Sequence, residues 1–153
     1  MSERVNDSDP GAAWVSLDGV WSVVFDRGNR GMGQHWHMPA CFPERDSRGI
    51  PVPSCWEEHE PDYEGVAWYR REFVAPGEWQ GWHVRLRFDA VNYLAEVWLN
   101  GDMVGGEEGG FTPVVFDVTQ FLRYDAPNVL IVRVVGSAVR SEQVDRYVRN
   151  ETP

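Results

Sequence analysis

A histidine among glutamates is the first place where the residue types suggest chemistry. His59 lies among Glu57, Glu58 and Glu60, and imidazole and carboxylate are both ligands of Zn²⁺. Consecutive residues of a loop or strand point in divergent directions, however, so these four side chains do not converge on one ion. Because the segment is polar and is broken by proline and glycine, we interpret it as a surface loop and predict no metal site there.

A second pair of histidines flanks a tryptophan. His35 and His37 lie on either side of Trp36, and they would share one face of the chain if it were extended there. No third ligand is evident near them in the sequence. We therefore interpret both as half-exposed loop histidines.

Nucleophilic and phosphate-binding chemistry are poorly supported. No serine of the chain lies in the nucleophile-elbow motif that a Ser-His-Asp arrangement would suggest. The glycine-rich segment 101–110 contains Glu107 and Glu108 and no lysine, and acidic side chains would repel a phosphate. Its glycines are better explained by tight turns between strands. The sequence therefore predicts neither a cofactor nor a metal.

The composition describes one globular domain that is rich in aromatic residues. Of its 153 residues, 42% are apolar and 25% are charged, which is ordinary for a domain of this size and argues against a membrane protein. Eight Trp, seven Phe and five Tyr suggest half-buried sheet surfaces, because aromatic residues favour strands. The net charge of -10 argues against nucleic acid as a partner, since binding to phosphates needs clustered Lys and Arg.

The first residues and the cysteines bear on whether the protein is secreted or cytoplasmic. Residues 1–11 are polar where a secretory peptide would need an apolar run, so we expect a cytoplasmic protein. Cys41 and Cys55 are the only cysteines. We expect them to be reduced thiols that pack as small hydrophobic side chains, and not a disulfide.

Short runs typical of β-strands recur along the chain. In segment 83–89, apolar and polar residues alternate, which indicates one buried face and one solvated face. The pair Asn100-Gly101 separates two such runs and predicts a hairpin with a type I′ turn. No long amphipathic helix is evident, so about six to eight short strands indicate an antiparallel sandwich or barrel. The clearest runs are 17–26, 67–74, 83–89, 93–99, 113–118 and 128–135.

The tryptophans divide into two groups by position. Trp21, Trp68 and Trp98 lie inside strand-like runs, and we predict that they pack in the core. Trp79 and Trp82 lie near a turn and are candidates for exposure. An exposed indole can stack on the apolar face of a sugar ring, so these two residues are the candidates for carbohydrate contact.

Several motifs occur together in one order. The run GVAWYRREF at 65–73 precedes VWLNG at 97–101 and GGFTP at 109–113. Four shorter motifs accompany them: LDGVW at 17–21, VPSCW at 52–56, FDVT at 116–119 and NVL at 128–130. The ordered set resembles the opening domain of family 2 glycoside hydrolases of the β-galactosidase and β-glucuronidase type. The resemblance implies an all-β fold, an antiparallel jelly-roll β-sandwich similar to galactose-binding domains.

The resemblance also implies domains beyond this chain. In the family the sandwich is followed by an immunoglobulin-like sandwich and a (β/α)8 barrel, and such a barrel alone needs about 250 residues. We predict a flexible tail at 1–13, the sandwich at 14–136 and a truncated tail at 137–153 that leads toward the missing part of the enzyme. In the family, a strand that completes the sandwich follows a stretch like residues 149–153. Without that strand one sheet edge would stay unpaired, and an unpaired edge favours a homo-oligomer.

The implied reaction is retaining hydrolysis of a terminal β-linked sugar by two carboxyl groups about 5–5.5 Å apart. The pair Asn150-Glu151 is similar to the acid/base motif of this enzyme clan. The family places that motif at the end of a barrel strand, so we interpret Glu151 as a solvated carboxylate. We therefore predict no catalytic residue in this chain, and carbohydrate as a partner only in the context of the full enzyme.

The segment after Cys55-Trp56 is similar to a loop that reaches the mouth of the active-site pocket in relatives. We predict that Asp62 and Tyr63 lie near substrate in the full enzyme. Two other functions stay open, an independent carbohydrate-binding module and an oligomerisation or interaction domain. The first would bind sugar by itself and the second would assemble without sugar, and the fold alone does not choose among them.

Overall fold

The computed structural model describes residues 3–5, 13–54, 58–61, 63, 65–89, 94–108 and 113–136. Asp62, Cys55, Glu57 and the pair Asn150-Glu151 lie outside the described residues. The described strands are β1 (Glu3–Val5), β2 (Ala13–Val15), β3 (Gly19–Phe25), β4 (Arg48–Val52), β5 (Val66–Val74), β6 (Arg85–Phe88), β7 (Leu94–Leu99), β8 (Asp102–Glu108), β9 (Val114–Asp117) and β10 (Pro127–Val135). Two short 3-10 turns lie at Glu44–Asp46 and Gly77–Trp79.

The strands form an antiparallel β-sandwich, which confirms the predicted fold class. Six of them make one sheet in the order β4-β3-β5-β10-β7-β8, and every pair of neighbours in it is antiparallel. The strands β6 and β9 pair as a separate ribbon, and β1 pairs with β2. Within the described residues, no helix is long and apolar enough to cross a membrane.

One face of the six-stranded sheet, the core face, packs against the β6–β9 ribbon. Alternate residues of each strand point to this side, and the apolar ones are buried there. From the ribbon, Leu86, Phe88 and Phe116 pack against them. The buried apolar residues of the core face are Trp21, Val23, Ile50, Ala67, Ala95, Val97, Leu99, Leu130 and Val132.

The opposite face, the loop-covered face, is buried by the segment between β3 and β4. Trp68 stacks on Trp98 with ring centroids 5.5 Å apart, and Trp36 from the covering segment meets Trp68 edge-on at 5.9 Å. A Cβ atom at Gly31 would lie 2.4 Å from the Trp68 indole nitrogen, so only glycine allows this close approach. The segment between β3 and β4 therefore forms the cover of this face.

A carboxylate fixes the start of that cover. Asp26 is buried directly after β3. Its side chain accepts hydrogen bonds from the backbone N–H groups of Arg30 (2.7 Å) and Gly31 (2.8 Å) and from the Trp68 indole (3.1 Å). These bonds satisfy the buried charge and tie the covering segment to the sheet.

The hairpin between β7 and β8 has the predicted type I′ geometry. Asn100 and Gly101 have φ values of 54° and 87°, which match the positive φ that this turn needs at both central positions. The Asn100 side chain donates to the Phe121 carbonyl and to Asn128 Oδ1, both at 3.0 Å, and accepts from the Val129 N–H at 2.9 Å. The turn is therefore joined to the loop that precedes β10.

The prediction that Cys41 packs as a small hydrophobic side chain is wrong. Its thiol is free and the residue is exposed. The neighbouring Phe42 takes the buried position and packs on the loop-covered face. In this irregular segment the larger apolar side chain gains more from burial than the thiol does.

Candidate functional site

The polar segment between β4 and β5 is held by two arginines. The Glu60 carboxylate forms ion pairs with Arg27, just after β3, and with Arg48, the first residue of β4. Hydrogen bonds from Arg48 and then Arg27 hold the pKa of the Glu60 carboxyl below its usual range. A carboxylate shared by two guanidinium groups brings the segment onto the ends of two strands.

Tyr63 anchors the same segment from inside the fold. The residue is 7% exposed, and its ring meets Phe25 edge-on with centroids 5.0 Å apart. Its hydroxyl donates to the Val66 carbonyl at 2.7 Å and accepts from the Val66 N–H at 3.2 Å. Burial raises the pKa of the Tyr63 phenol, so the group stays neutral. Of the two predicted site residues, Tyr63 is thus buried beside β5, and its proximity to substrate stays a prediction.

Each of the two arginines that pair with Glu60 also lies over an aromatic ring. The Arg27 guanidinium carbon is 4.9 Å from the Tyr63 ring centroid, and that of Arg48 is 4.7 Å from the Phe25 centroid. Such cation–π contacts orient the guanidinium groups toward Glu60. We name Phe25, Arg27, Arg48, Glu60 and Tyr63 the arginine clamp. Its groups position a loop and supply no paired acid and base.

His59 does not take part in a metal site within the described residues. Its Nε2 lies 3.4 Å from Ser54 Oγ, a long contact, and the serine hydroxyl itself donates to the Pro51 carbonyl. Across the ranges that the structure describes, no three His, Cys, Asp or Glu side chains are placed to hold a metal ion.

The other histidine pair belongs to the cover of the sheet. The rings of His35 and His37 have centroids 5.7 Å apart, and His37 packs against Trp98 at 5.4 Å. Burial, and then the neighbouring His35, hold the pKa of His37 below its usual value. His37 is half-buried and His35 is exposed, which is close to the interpretation of both as half-exposed loop residues.

The predicted division of the tryptophans is confirmed for the strand residues. Trp21, Trp68 and Trp98 are all buried. Trp79 is half-buried, and Trp82 is 48% exposed at the turn before β6. Trp82 is therefore the more accessible of the two candidates for carbohydrate contact.

Sequence reasoning missed two buried polar groups that position these elements. The first is the Arg133–Glu96 ion pair on the loop-covered face, with a distance of 2.5 Å between Nη1 and Oε1. The second is Asn128, which is fully buried and accepts from the Arg123 N–H at 2.8 Å. In both cases the available signal was a charged or amide side chain at a strand position where the alternation predicts an apolar residue.

The comparisons with known proteins decide the family. Residues 59–147 match the family model described as "Glycosyl hydrolases family 2, sugar binding domain". This match covers more than half of the chain. The chain belongs to glycoside hydrolase family 2. It is the N-terminal sugar-binding-type domain of that family, and the resemblance seen in its motifs is confirmed.

The curated relatives of this family 2 domain are much longer glycosidases. The domain is 32% identical over 109 residues to a β-glucuronidase of Paenibacillus borealis, covering 68% of this chain and 18% of that protein. It is 38% identical over 76 residues to a β-galactosidase of Thermoanaerobacter pseudethanolicus, covering 49% of this chain and 10% of that protein. The chain therefore spans less than a fifth of the length of these two relatives.

Solved structures of the family share the fold. The Ruminococcus gnavus β-glucuronidase matches with a TM-score of 0.74 and 31% identity, over 80% of this chain and 21% of that one. A Lactobacillus rhamnosus β-glucuronidase matches with a TM-score of 0.72 and 33% identity, over 78% of this chain and 20% of that one. The β-sandwich of this chain thus matches about a fifth of each of these longer β-glucuronidase chains.

Proposed function

We propose that this family 2 domain opens a longer retaining β-glycosidase that hydrolyses a terminal β-linked galactoside or glucuronide. The observation that carries the proposal is the match of residues 59–147 to the family model, together with the small share of each relative that the chain covers. Retaining hydrolysis needs two carboxyl groups about 5–5.5 Å apart. In this proposal both lie in a barrel that the rest of the longer protein supplies.

The domain's proposed contribution is to shape the substrate pocket with the segment between β4 and β5. In the sequence, Asp62 lies between Glu60 and Tyr63. Glu60 forms ion pairs with two arginines, and Tyr63 is buried. We propose that holding Glu60 and Tyr63 on either side of Asp62 in the sequence lowers the entropy cost of presenting Asp62 to a sugar. Asp62 is thus proposed to reach the substrate, with Tyr63 close behind it as its anchor.

The first experiment asks whether the domain is made as part of a larger protein. An antibody raised against the domain would be used to probe an extract of the source cells. The proposal expects a band several times heavier than the 17.5 kDa of this chain. A band at 17.5 kDa alone would contradict it.

A second experiment tests Asp62 in that longer protein. Asp62→Asn and Asp62→Ala would be assayed with p-nitrophenyl β-glucuronide and p-nitrophenyl β-galactoside. Loss of a substrate hydrogen bond to a charged group is expected to lower kcat/KM by about tenfold or more. Glu107→Gln, at an exposed position of β8, is the matched control and should leave kcat/KM unchanged. Unchanged kcat/KM in both Asp62 variants would refute the pocket-shaping role.

Assembly and location belong to the same proposal. In the described sheet, β4 and β8 are the edge strands, and exposed edges support pairing between copies. We therefore propose that the protein forms a homo-oligomer. We also propose that it is located in the cytoplasm, because its first residues are polar. Light scattering after gel filtration tests the first statement, because a monomeric mass at micromolar concentrations would contradict it. Cell fractionation with the same antibody tests the second.

A further inference from the structure

Trp82 is the exposed aromatic residue that the core and the arginine clamp leave unexplained. It is 48% exposed at the end of the turn between β5 and β6. A scattered exposed apolar side chain is ordinary in itself. Trp82 differs because hydrogen bonds fix its backbone, the space beside Gly81 is open, and Gln80 and His83 are exposed polar residues near it in the sequence.

The turn that carries Trp82 is held by its own hydrogen bonds. Three successive backbone bonds of 2.9–3.1 Å close residues 76–82. The N–H of Gly77 also donates to Asp125 Oδ1 at 2.9 Å, which fastens the turn to the loop before β10. A side chain on such a fixed backbone loses less conformational entropy when a ligand binds.

The space beside the indole is open. Gly81 precedes Trp82 and has a φ of 89°, a conformation that favours glycine. No heavy atom lies within 4 Å of the position that a Cβ atom would take there. The missing side chain therefore leaves the backbone next to Trp82 accessible to a ligand.

The residues that follow Trp82 in the chain lead into the β6–β9 ribbon, whose first paired positions carry both signs of charge. The N–H of Val84 donates to Thr119 Oγ1 at 2.9 Å, and Arg85 faces Asp117 across the ribbon. Gln80 and His83, on either side of the Gly81–Trp82 pair, are both exposed. A protein-docking surface would need a contiguous apolar patch, and a strongly charged ligand would need charge of one sign.

We propose that Trp82 is the stacking platform of a surface carbohydrate site that binds a neutral β-linked oligosaccharide. The indole face packs against the apolar C–H face of one pyranose ring. Gln80 and His83 offer hydrogen bonds to its hydroxyl groups at the rim. A ligand with an apolar face and polar edges matches an exposed indole that has exposed polar side chains near it in the sequence. This proposal does not rest on the proposed role of Asp62.

The test is a titration of the 153-residue chain with β-1,4-linked glucotetraose and galactotetraose. Heat of binding is measured by calorimetry, and the indole N–H signals are followed by two-dimensional NMR. Trp82→Ala removes the platform and Trp82→Tyr keeps a smaller one. Trp14→Ala is the matched control, because Trp14 is 41% exposed elsewhere on the chain.

The proposal expects saturable binding with a Kd on the order of 1 mM and a shift of the Trp82 indole signal. Trp82→Ala should weaken binding by about tenfold or more, Trp82→Tyr by less, and Trp14→Ala should bind like the parent chain. No binding of either oligosaccharide by folded protein would overturn the proposal. Binding that is unchanged in Trp82→Ala would also overturn it, since the sugar would then bind elsewhere.

Discussion

Glu60 is the residue on which the position of the polar segment before β5 depends. Exposed ion pairs add little to global stability, so Glu60→Gln should barely change the melting temperature. It removes the charge that both arginines share. We expect backbone amides of residues 58–66 to exchange hydrogen several-fold faster, as measured by mass spectrometry. Glu107→Gln is the matched control, and unchanged exchange in Glu60→Gln would show that the arginine clamp does not hold the segment.

His37 gives the fold a dependence on pH. Its pKa in the folded chain lies below the ordinary value of 6.5 because burial disfavours the cation. The unfolded chain therefore binds more protons at this site, and the stabilising contribution of neutral His37 is lost as pH falls below about 6.5. His37→Phe keeps a ring against Trp98 and does not titrate.

The measurement for His37 is the melting temperature between pH 7.5 and pH 5.5. The parent chain should lose more stability across this range than His37→Phe does. His83→Gln is the control, since His83 is an exposed histidine, and it should follow the parent chain. Parallel curves for the parent chain and His37→Phe would contradict the assigned role of burial at this histidine.

At the residue scale, strand alternation made burial predictable, whereas contacts that depend on loops were missed. Trp21, Trp68 and Trp98 lie in periodic runs, and their burial was predicted for that reason. The hydroxyl of Tyr63 is satisfied by the backbone of Val66, a partner that exists only because the chain turns there. The exposure of Cys41 depends in the same way on an irregular segment.

At the scale of elements, a buried ion pair joins β7 and β10. Arg133 and Glu96 are 1% and 4% exposed. Arg133→Met leaves the Glu96 charge buried without its ion pair, so we expect a loss of about 3–5 kcal/mol in the free energy of unfolding. The double variant Arg133→Met, Glu96→Leu removes both charges and should recover most of that loss.

Urea denaturation of the parent chain, of Arg133→Met and of the double variant measures these differences in the free energy of unfolding. Arg87→Met is the matched control, because Arg87 pairs with Asp89 at the surface and should cost less than about 1 kcal/mol. A loss below about 1 kcal/mol in Arg133→Met would contradict the importance assigned to this pair.

Elements with a local signal were predictable, and the cover of the sheet was not. Asn100-Gly101 fixes its hairpin through two positive φ values, so two adjacent residues carried the prediction. The segment 27–47 has no period. It covers the sheet because the Trp68 indole donates to Asp26 and because Gly31 leaves room for the Trp68 ring. Both contacts join residues far apart in sequence.

At the scale of the whole molecule, we propose that this domain acts as one part of a longer protein. The buried residues on both faces of the six-stranded sheet give it its own core. The family is indicated by seven short motifs in one order, which is why the sequence alone could predict it. Any contact of this domain with sugar depends on its exposed residues. Exposed residues follow no periodic pattern, so the sequence does not predict such contacts.

We propose that this family 2 domain shapes a glycosidase without performing hydrolysis itself. The most direct measurement compares the purified 153-residue chain with the native protein captured by an antibody to the domain. Both are incubated with p-nitrophenyl β-glucuronide and p-nitrophenyl β-galactoside. We predict release of p-nitrophenol by the native protein, and none above background by the 153-residue chain. Steady hydrolysis by that chain alone would contradict the claim.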